Sequence, residues 1–142
     1  MKPTPERLLL ETYPIRLDIP ARFGDMDPLR HINNVRIGEF YEEARIALNT
    51  RLFEGLESRP KRMLVANLDI AYLAEAKYPG LITAGSGVHR IGTTSYTVAN
   101  ALFQDGACVG VAETVLVATA EGRPAPLSEE VRERLRRYQL AS

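Results

Sequence analysis

Two carboxylates, one imidazole and two amides lie between residues 25 and 34 of this chain. They belong to Asp25, Asp27, His31, Asn33 and Asn34. A glycine at position 24 and a proline at position 28 interrupt regular structure here, so the segment is predicted to be a turn. A carboxylate held in such a turn can act as a general base or as a nucleophile. These residue types and their spacing therefore make the turn a candidate site for chemistry.

An amphipathic helix is predicted directly after the turn, from about residue 34 to residue 53. Apolar residues recur there at helical spacing: Ile37, Phe40, Tyr41, Ala44, Ala47, Leu48 and Leu52. The first N–H groups of a helix have no acceptor inside the helix and carry partial positive charge, so they can receive an anion or a developing oxyanion. Asn33 is the better N-cap by residue type, but the pattern leaves Asn34 open as the cap.

The rest of the chain is predicted to form strands joined by turns. Strands are expected over residues 14–22, 64–72, 81–91, 95–104 and 107–119. Residues 1–12 are expected to be a loosely held arm, residues 121–126 a loop, and residues 128–138 a short C-terminal helix. Because strands 64–119 follow one another through short turns, they predict an antiparallel meander with one helix across it. The pattern therefore predicts one α+β domain over residues 1–142.

Composition narrows the classes of partner and cofactor. Lys plus Arg and Asp plus Glu each number 18, which gives no basic surface for nucleic acid or an anionic membrane. The only cysteine is Cys108, and the two histidines, His31 and His89, lie far apart, so no disulfide and no metal site are expected. We expect no cofactor. No apolar run approaches the roughly 20 residues of a membrane span, and no signal-peptide core is present, so a cytoplasmic protein is expected.

The central motif resembles a known family. The run Asp25-Met26-Asp27-Pro28-Leu29-Arg30-His31-Ile32-Asn33-Asn34, followed by Phe40-Tyr41-Glu42-Glu43-Ala44-Arg45, is similar to the hotdog-fold acyl-CoA thioesterases. The nearest group is the 4-hydroxybenzoyl-CoA thioesterase-like family, and the likeness covers roughly residues 14 to 128. Arg30 stands where the family usually has Gly, which bears on the shape of the turn because Gly often marks a backbone position with positive φ. Ile37 stands where it usually has Tyr, which bears on the wall of the acyl pocket.

The resemblance implies a five-stranded antiparallel sheet wrapped around one long central helix. It implies a hydrolase that releases a free acid and CoA from an acyl-CoA thioester, or acts on an acyl-ACP. Asp27 matches the catalytic carboxylate, and Asn34 lies where a backbone N–H holds the thioester oxygen. His31 is expected to orient the substrate or to support Asp27.

Further contacts with the substrate are implied by the same resemblance. Arg90 would bind phosphate, and Thr94 and Ser95 would form hydrogen bonds with the amides of the pantetheine arm. Asn33, Phe40 and Tyr41 are expected at the substrate as well. The family pairs two protomers edge to edge into one continuous sheet, so a homodimer at least is implied, with a homotetramer left open. Asn67 of a partner would then complete each site.

Other interpretations of these residues stay open. Asp25 and Asp27 could form Asx turns or cap the loop, and Asp25 is expected to organise it. Glu42 and Glu43 are expected on the helix surface or beside Arg45. The main alternative function is a hotdog protein that binds acyl thioesters without hydrolysing them. A hotdog dehydratase would use a different histidine arrangement, and without the resemblance the chain would be a plain α+β dimerisation module.

Overall fold

The long helix has the bounds that the sequence predicts. In the computed structural model, which describes residues 1–60 and 62–141, helix α1 runs over Asn34–Phe53. Its apolar stripe is buried against the sheet, and Phe40, Tyr41, Ala44, Leu48 and Leu52 are wholly inaccessible to solvent. Gly55 has a φ of 72° just beyond the helix end. A glycine adopts this left-handed conformation without steric cost, so it suits the residue after a helix.

The strands and the second helix follow in chain order. They are β1 Ile15–Pro20, β2 Arg62–Tyr72, β3 Leu81–Ile91, β4 Ser95–Gln104, β5 Ala107–Ala120, β6 Arg123–Pro124 and α2 Glu129–Arg137. Ser128 caps α2 by accepting a hydrogen bond from the Val131 N–H at 3.2 Å. The two-residue β6 pairs with β5 and lies in the segment predicted to be a loop, which corrects that prediction. The α+β architecture, a sheet around one long helix, is confirmed.

The position of β2 corrects the predicted meander. The sheet order is β1-β3-β4-β5-β2 and every pairing is antiparallel, so β2 lies beside β5 rather than beside β3. The reason is the long connection over residues 73–80, which is too long for a tight hairpin. The sheet consequently has β1 at one edge and β2 at the other.

The connection over residues 73–80 crosses one end of the sheet. The N–H groups of Leu73 and Ala74 donate to the Val109 carbonyl at 3.0 and 3.2 Å. Further along, the carbonyl of Ala76 accepts from the Ile32 N–H at 2.9 Å. The segment therefore joins the start of β5 to the turn that precedes α1, and it brings the predicted catalytic turn to this end of the sheet.

The N-terminal segment is packed, which corrects the expectation of a loose arm. Arg7 is buried and pairs with Glu113 at 3.0 Å, and the hydroxyl of Tyr13 donates to the Arg7 carbonyl at 2.8 Å. The Tyr13 ring lies against Gly85. Ala84, the residue before Gly85 in β3, belongs to the cluster that packs on α1. Because successive side chains of a strand point to opposite faces, position 85 lies on the face away from α1. The segment therefore covers the sheet face opposite α1.

A close approach between helix and sheet explains one glycine of β5. A Cβ atom at Gly110 would lie 2.5 Å from the hydroxyl oxygen of Tyr41. That hydroxyl is buried and finds no hydrogen-bond partner among the residues that the structure describes. Burial raises the pKa of the Tyr41 hydroxyl far above its ordinary value. Tyr41 is thus a neutral core residue packed over a position without a side chain.

Candidate active site

Asp25 anchors the turn before the helix. The Arg22 N–H donates to its Oδ2 at 2.8 Å, and the Arg36 Nε donates to its Oδ1 at 3.0 Å. The Asn33 N–H donates to the Asp25 carbonyl at 2.9 Å. Burial opposes ionisation, but the hydrogen bonds from Arg22 and the charge of Arg36 outweigh it and hold the pKa of Asp25 below its ordinary value. The expectation that Asp25 organises the loop agrees with these contacts.

The variant Asp25→Asn is expected to lower the free energy of unfolding by roughly 3 kcal/mol at pH 7, because it removes the buried negative charge that accepts hydrogen bonds from Arg22 and Arg36. Since folding lowers the pKa of Asp25, its contribution is complete above the ordinary pKa of 3.8 and is lost as the pH falls through the folded-state value. Urea unfolding between pH 3 and 7 measures this. A difference between the two proteins that does not shrink at acid pH would contradict the role of the charge.

Asp27 closes the turn with one of its two carboxylate oxygens. Its Oδ1 accepts from the Leu29 N–H at 2.9 Å and from the His31 N–H at 3.2 Å. The Arg30 N–H also donates to the Asp27 carbonyl at 3.0 Å. The Asx-turn interpretation is therefore correct for Oδ1. Among the described residues no donor is placed on Oδ2, which leaves that oxygen available to a ligand.

Arg30 keeps the backbone shape that a glycine would provide. Its φ is 66°, in the left-handed region that side chains disfavour, so the turn keeps its form although Arg replaces the usual Gly.

We expect Arg30→Gly to raise the free energy of unfolding by about 0.5 kcal/mol, since relief of strain exceeds the entropy cost of glycine in the unfolded chain. Urea titration of both proteins measures it. A destabilised variant would mean that the arginine side chain contributes to the fold.

Asn33 is the N-cap of α1. Its side-chain oxygen accepts from the Val35 N–H at 2.8 Å, and its carbonyl accepts from the Ile37 N–H at 3.0 Å. This resolves the choice that the sequence left open. Asn34 is the first helical residue, and its N–H has no acceptor within the helix. Within the described part of the chain no other acceptor lies on it, so the helix start presents a free donor.

The turn, the helix start and the connection over residues 73–80 enclose a cavity of about 390 Å³, which we call the helix-start cavity. It is lined by Asp27, His31, Ile32, Asn34, Ile37, Tyr72, Leu73, Ala74, Glu75, Ala76 and Val109. The structure thus brings together the three residues predicted to be catalytic, Asp27, His31 and Asn34. Ile37, which replaces the usual Tyr, lies in its wall.

Glu75 is a residue of this site that the sequence did not indicate. Its carboxylate lies 2.9 Å from the Nε2 of His31. The pair fixes the imidazole beside the cavity, since a ring nitrogen that donates to a carboxylate sets the tautomer. Glu75 follows β2 in the crossing segment, and only the non-local pairing of β2 with β5 carries it to the turn. No local pattern of the sequence contains that information.

The helix glutamates lie outside the cavity. Glu43 pairs with Arg36 at 3.0 Å, and Glu42 lies 4.0 Å from Arg45. Glu42 is thus a surface partner of Arg45, as expected, whereas Glu43 belongs to the cluster around Arg36. Arg36 thereby links Glu43 in the third turn of α1 to Asp25, so these charges help to fix the orientation of the turn before the helix.

The expected substrate contacts are not all near the cavity within one chain. Phe40 and Tyr41 are core residues and do not line it. Asn67 lies in the exposed edge strand β2. Ser95 pairs with Val117 near one end of β5, whereas the cavity lies beside Gly110 near the other end. At about 3.3 Å per residue, these two positions on β5 are roughly 20 Å apart. Arg90 and Thr94 share that far end.

A second opening, the aromatic cleft, borders Asp27 without reaching the helix start. It has a volume of about 660 Å³ and is lined by Phe23, Met26, Asp27, Pro28, Arg30 and Tyr78. The rings of Phe23 and Tyr78 meet edge to face with centroids 6.0 Å apart. Asp27 therefore lines both openings.

The described residues contain no group of three or more His, Cys, Asp or Glu side chains arranged to hold a metal ion. None of the helices in residues 1–60 and 62–141 is both long enough and apolar enough to cross a bilayer.

Comparison with known proteins agrees with this geometry. The model of the thioesterase-like superfamily matches residues 21–135 of the chain. A thioesterase from Thermus thermophilus, solved with coenzyme A and zinc, is 30% identical with a TM-score of 0.81, and the match covers 91% of this chain and 96% of that one. A predicted thioesterase from Bacillus stearothermophilus is 27% identical with a TM-score of 0.80, covering 89% and 97%. No curated protein matches the sequence.

Proposed function

Because the chain belongs to the thioesterase-like superfamily, we propose that it hydrolyses acyl-CoA thioesters to a free acid and CoA. The observation that carries the proposal is the meeting of Asp27, His31 and the free N–H of Asn34 around one cavity. The related thioesterase from Thermus thermophilus that was solved with coenzyme A supports a CoA thioester as substrate. An acyl-ACP presents the same thioester and stays a second substrate form.

The proposed reaction uses the charge distribution at the helix start. The thioester oxygen accepts a hydrogen bond from the Asn34 N–H, where the helix dipole stabilises the negative charge that develops on it. Asp27 either takes a proton from the attacking water or attacks the carbonyl itself to form an anhydride that water then hydrolyses. In both routes the carbon–sulfur bond breaks and the thiolate leaves. His31, held by Glu75, orients the substrate.

The proposed active form is at least a homodimer, and a tetramer stays open. Within residues 1–60 and 62–141, strand β2 pairs with β5 alone, and it exposes Leu64, Val65, Leu68 and Tyr72. Such a long apolar edge favours pairing with a second strand. Antiparallel pairing of two β2 strands brings the far end of the partner sheet toward the helix-start cavity. It would deliver the expected pantetheine contacts, Arg90, Thr94 and Ser95, and place Asn67 at the interface.

The test is steady-state release of free thiol from a panel of aliphatic and aromatic acyl-CoAs. Turnover of at least one member supports hydrolysis, and the best substrate defines the acyl group. Cys108 is partly exposed, so a protein-only reaction with the thiol reagent must be subtracted. No turnover of any member at high enzyme concentration would contradict the proposal.

A non-catalytic acyl-thioester binding protein is the second candidate. The observation that favours it is the use of Asp27 Oδ1 in two backbone hydrogen bonds, which gives this carboxylate a structural role without catalysis. Calorimetric titration with the same acyl-CoAs separates the two functions. Tight binding without thiol release would establish the binding protein.

A further inference from the structure

The aromatic cleft contains a positive charge that the proposed hydrolysis does not use. Arg30 lines the cleft, and no carboxylate of the described residues lies within 4.0 Å of its guanidinium group. Phe23, Met26 and Tyr78 line the same cleft. An arginine beside apolar walls suits a ligand group that is itself partly apolar and ends in an anion.

The conformation of Arg30 strengthens this interpretation. It occupies a backbone position with a φ of 66°, which glycine adopts more easily. A strained residue at a candidate active site suggests a use for its side chain. Among the described residues, the guanidinium of Arg30 forms no ion pair that would stabilise the fold.

We propose that the acyl arm of a thioester held at the Asn34 N–H passes Asp27, the residue that lines both openings, and enters the aromatic cleft, where Arg30 pairs with a carboxylate at the far end of that arm. The preferred substrates are then thioesters of dicarboxylic acids with a chain of about four to six carbons, because such a chain spans the distance between Asp27 and the charged end of Arg30. This inference rests on the proposed function, because it assigns the substrate class of that same site.

Distance favours the acyl carboxylate over a phosphate of CoA as the anion. Arg30 lies three positions after Asp27, and its N–H donates to the Asp27 carbonyl at 3.0 Å. The charged end of an extended arginine in this turn lies within roughly 10 Å of the Asp27 carboxylate. The whole pantetheine arm separates the thioester from the nucleotide phosphates, which is a much longer path. A carboxylate and a guanidinium also form the paired, bidentate hydrogen bonds that fix a ligand terminus.

The test compares thiol release from glutaryl-CoA and pentanoyl-CoA, which have five acyl carbons and differ in the terminal carboxylate. We expect wild type to favour glutaryl-CoA in kcat/KM, and Arg30→Gln to lower the ratio of the two values about tenfold. Glutamine at position 30 has the same unfavourable backbone conformation as arginine. Any change in the turn therefore affects both substrates equally and cancels in the ratio of their kcat/KM values. Arg123→Gln, an exposed arginine on β6, is the matched control and should keep the ratio. An unchanged ratio in Arg30→Gln overturns the inference.

The glutaryl and pentanoyl thioesters of N-acetylcysteamine show which anion Arg30 binds, because these substrates carry no phosphate. The quantity measured is again the ratio of kcat/KM for the glutaryl ester to that for the pentanoyl ester. A ratio that still depends on Arg30 supports the acyl carboxylate. Equal losses with both CoA esters, absent with both N-acetylcysteamine esters, would mean that Arg30 meets a phosphate and would overturn the inference while keeping the hydrolase. If no thioester is hydrolysed, the proposed function fails, and calorimetric binding of glutaryl-CoA and pentanoyl-CoA decides the inference: equal affinities overturn it.

Discussion

The variant Asp27→Asn is expected to lower kcat for thioester hydrolysis by about 10²- to 10⁴-fold, the usual contribution of a positioned base. The physical reason is specific to the turn. Oδ1 accepts both backbone hydrogen bonds, and the amide oxygen of asparagine can accept them in the same geometry, without the added strength of a charged acceptor. The substitution therefore keeps the Asx turn and removes only the charge and basicity of the second oxygen. Thiol release with the best acyl-CoA, measured under saturation, gives kcat for both proteins.

Asp105→Asn is the matched control for that experiment. Asp105 has a φ of 51° in the β4–β5 hairpin, where asparagine fits as well as aspartate, and it lies outside the helix-start cavity. We expect this control to keep wild-type turnover and stability. Full turnover by Asp27→Asn would remove Asp27 from the mechanism while leaving the enzyme. A large loss of unfolding free energy in Asp27→Asn would instead mean that the turn needs the carboxylate itself.

Local patterns predicted the elements whose signals lie within one stretch of chain. Helix α1 has the predicted bounds because an N-cap, a 3.6-residue apolar period and a terminating glycine all lie in residues 33–55. The bounds of β3 and β4 also agree with the prediction, since turns flank both. The cluster of Asp27, His31 and Asn34 was predictable for the same reason, as all three belong to one turn and the helix that follows.

Features that depend on distant pairing were not predictable. No local pattern in the sequence indicates that β2 pairs with β5 rather than with β3, and that single pairing brings Glu75 and Tyr72 to the turn before α1. Likewise, Tyr78 reaches Phe23 across the aromatic cleft only because residues 73–80 cross the end of the sheet. The packed N-terminal segment depends on a buried contact between Arg7 and Glu113 of β5. Each of these contacts joins residues far apart in sequence.

The second large effect is expected from the free edge of the sheet. Val65 is 51% exposed in β2, and Val65→Glu would give each β2 strand a carboxylate, so a two-fold dimer that pairs these strands would bring two like charges into one interface. Like charges forced together at an interface cost several kcal/mol, so we expect the dimer dissociation constant to rise at least about 100-fold. Sedimentation velocity over a concentration series measures it. The monomer should also lose thioesterase activity, because the partner would no longer supply Arg90, Thr94 and Ser95 to the cavity.

Leu9→Glu is the matched control, since Leu9 is exposed to a similar degree, 47%, and lies beside Leu81 and Thr83 of β3 rather than in the β2 edge. It introduces the same charge and should keep the dimer and its activity. Activity that recovers when Val65→Glu is concentrated would show that pairing, rather than misfolding, controls the site. A wild-type protein that is an active monomer at all concentrations would contradict the shared site. In that case the ligand contacts would have to come from the helix-start cavity and the aromatic cleft alone, and both openings border Asp27 within one chain.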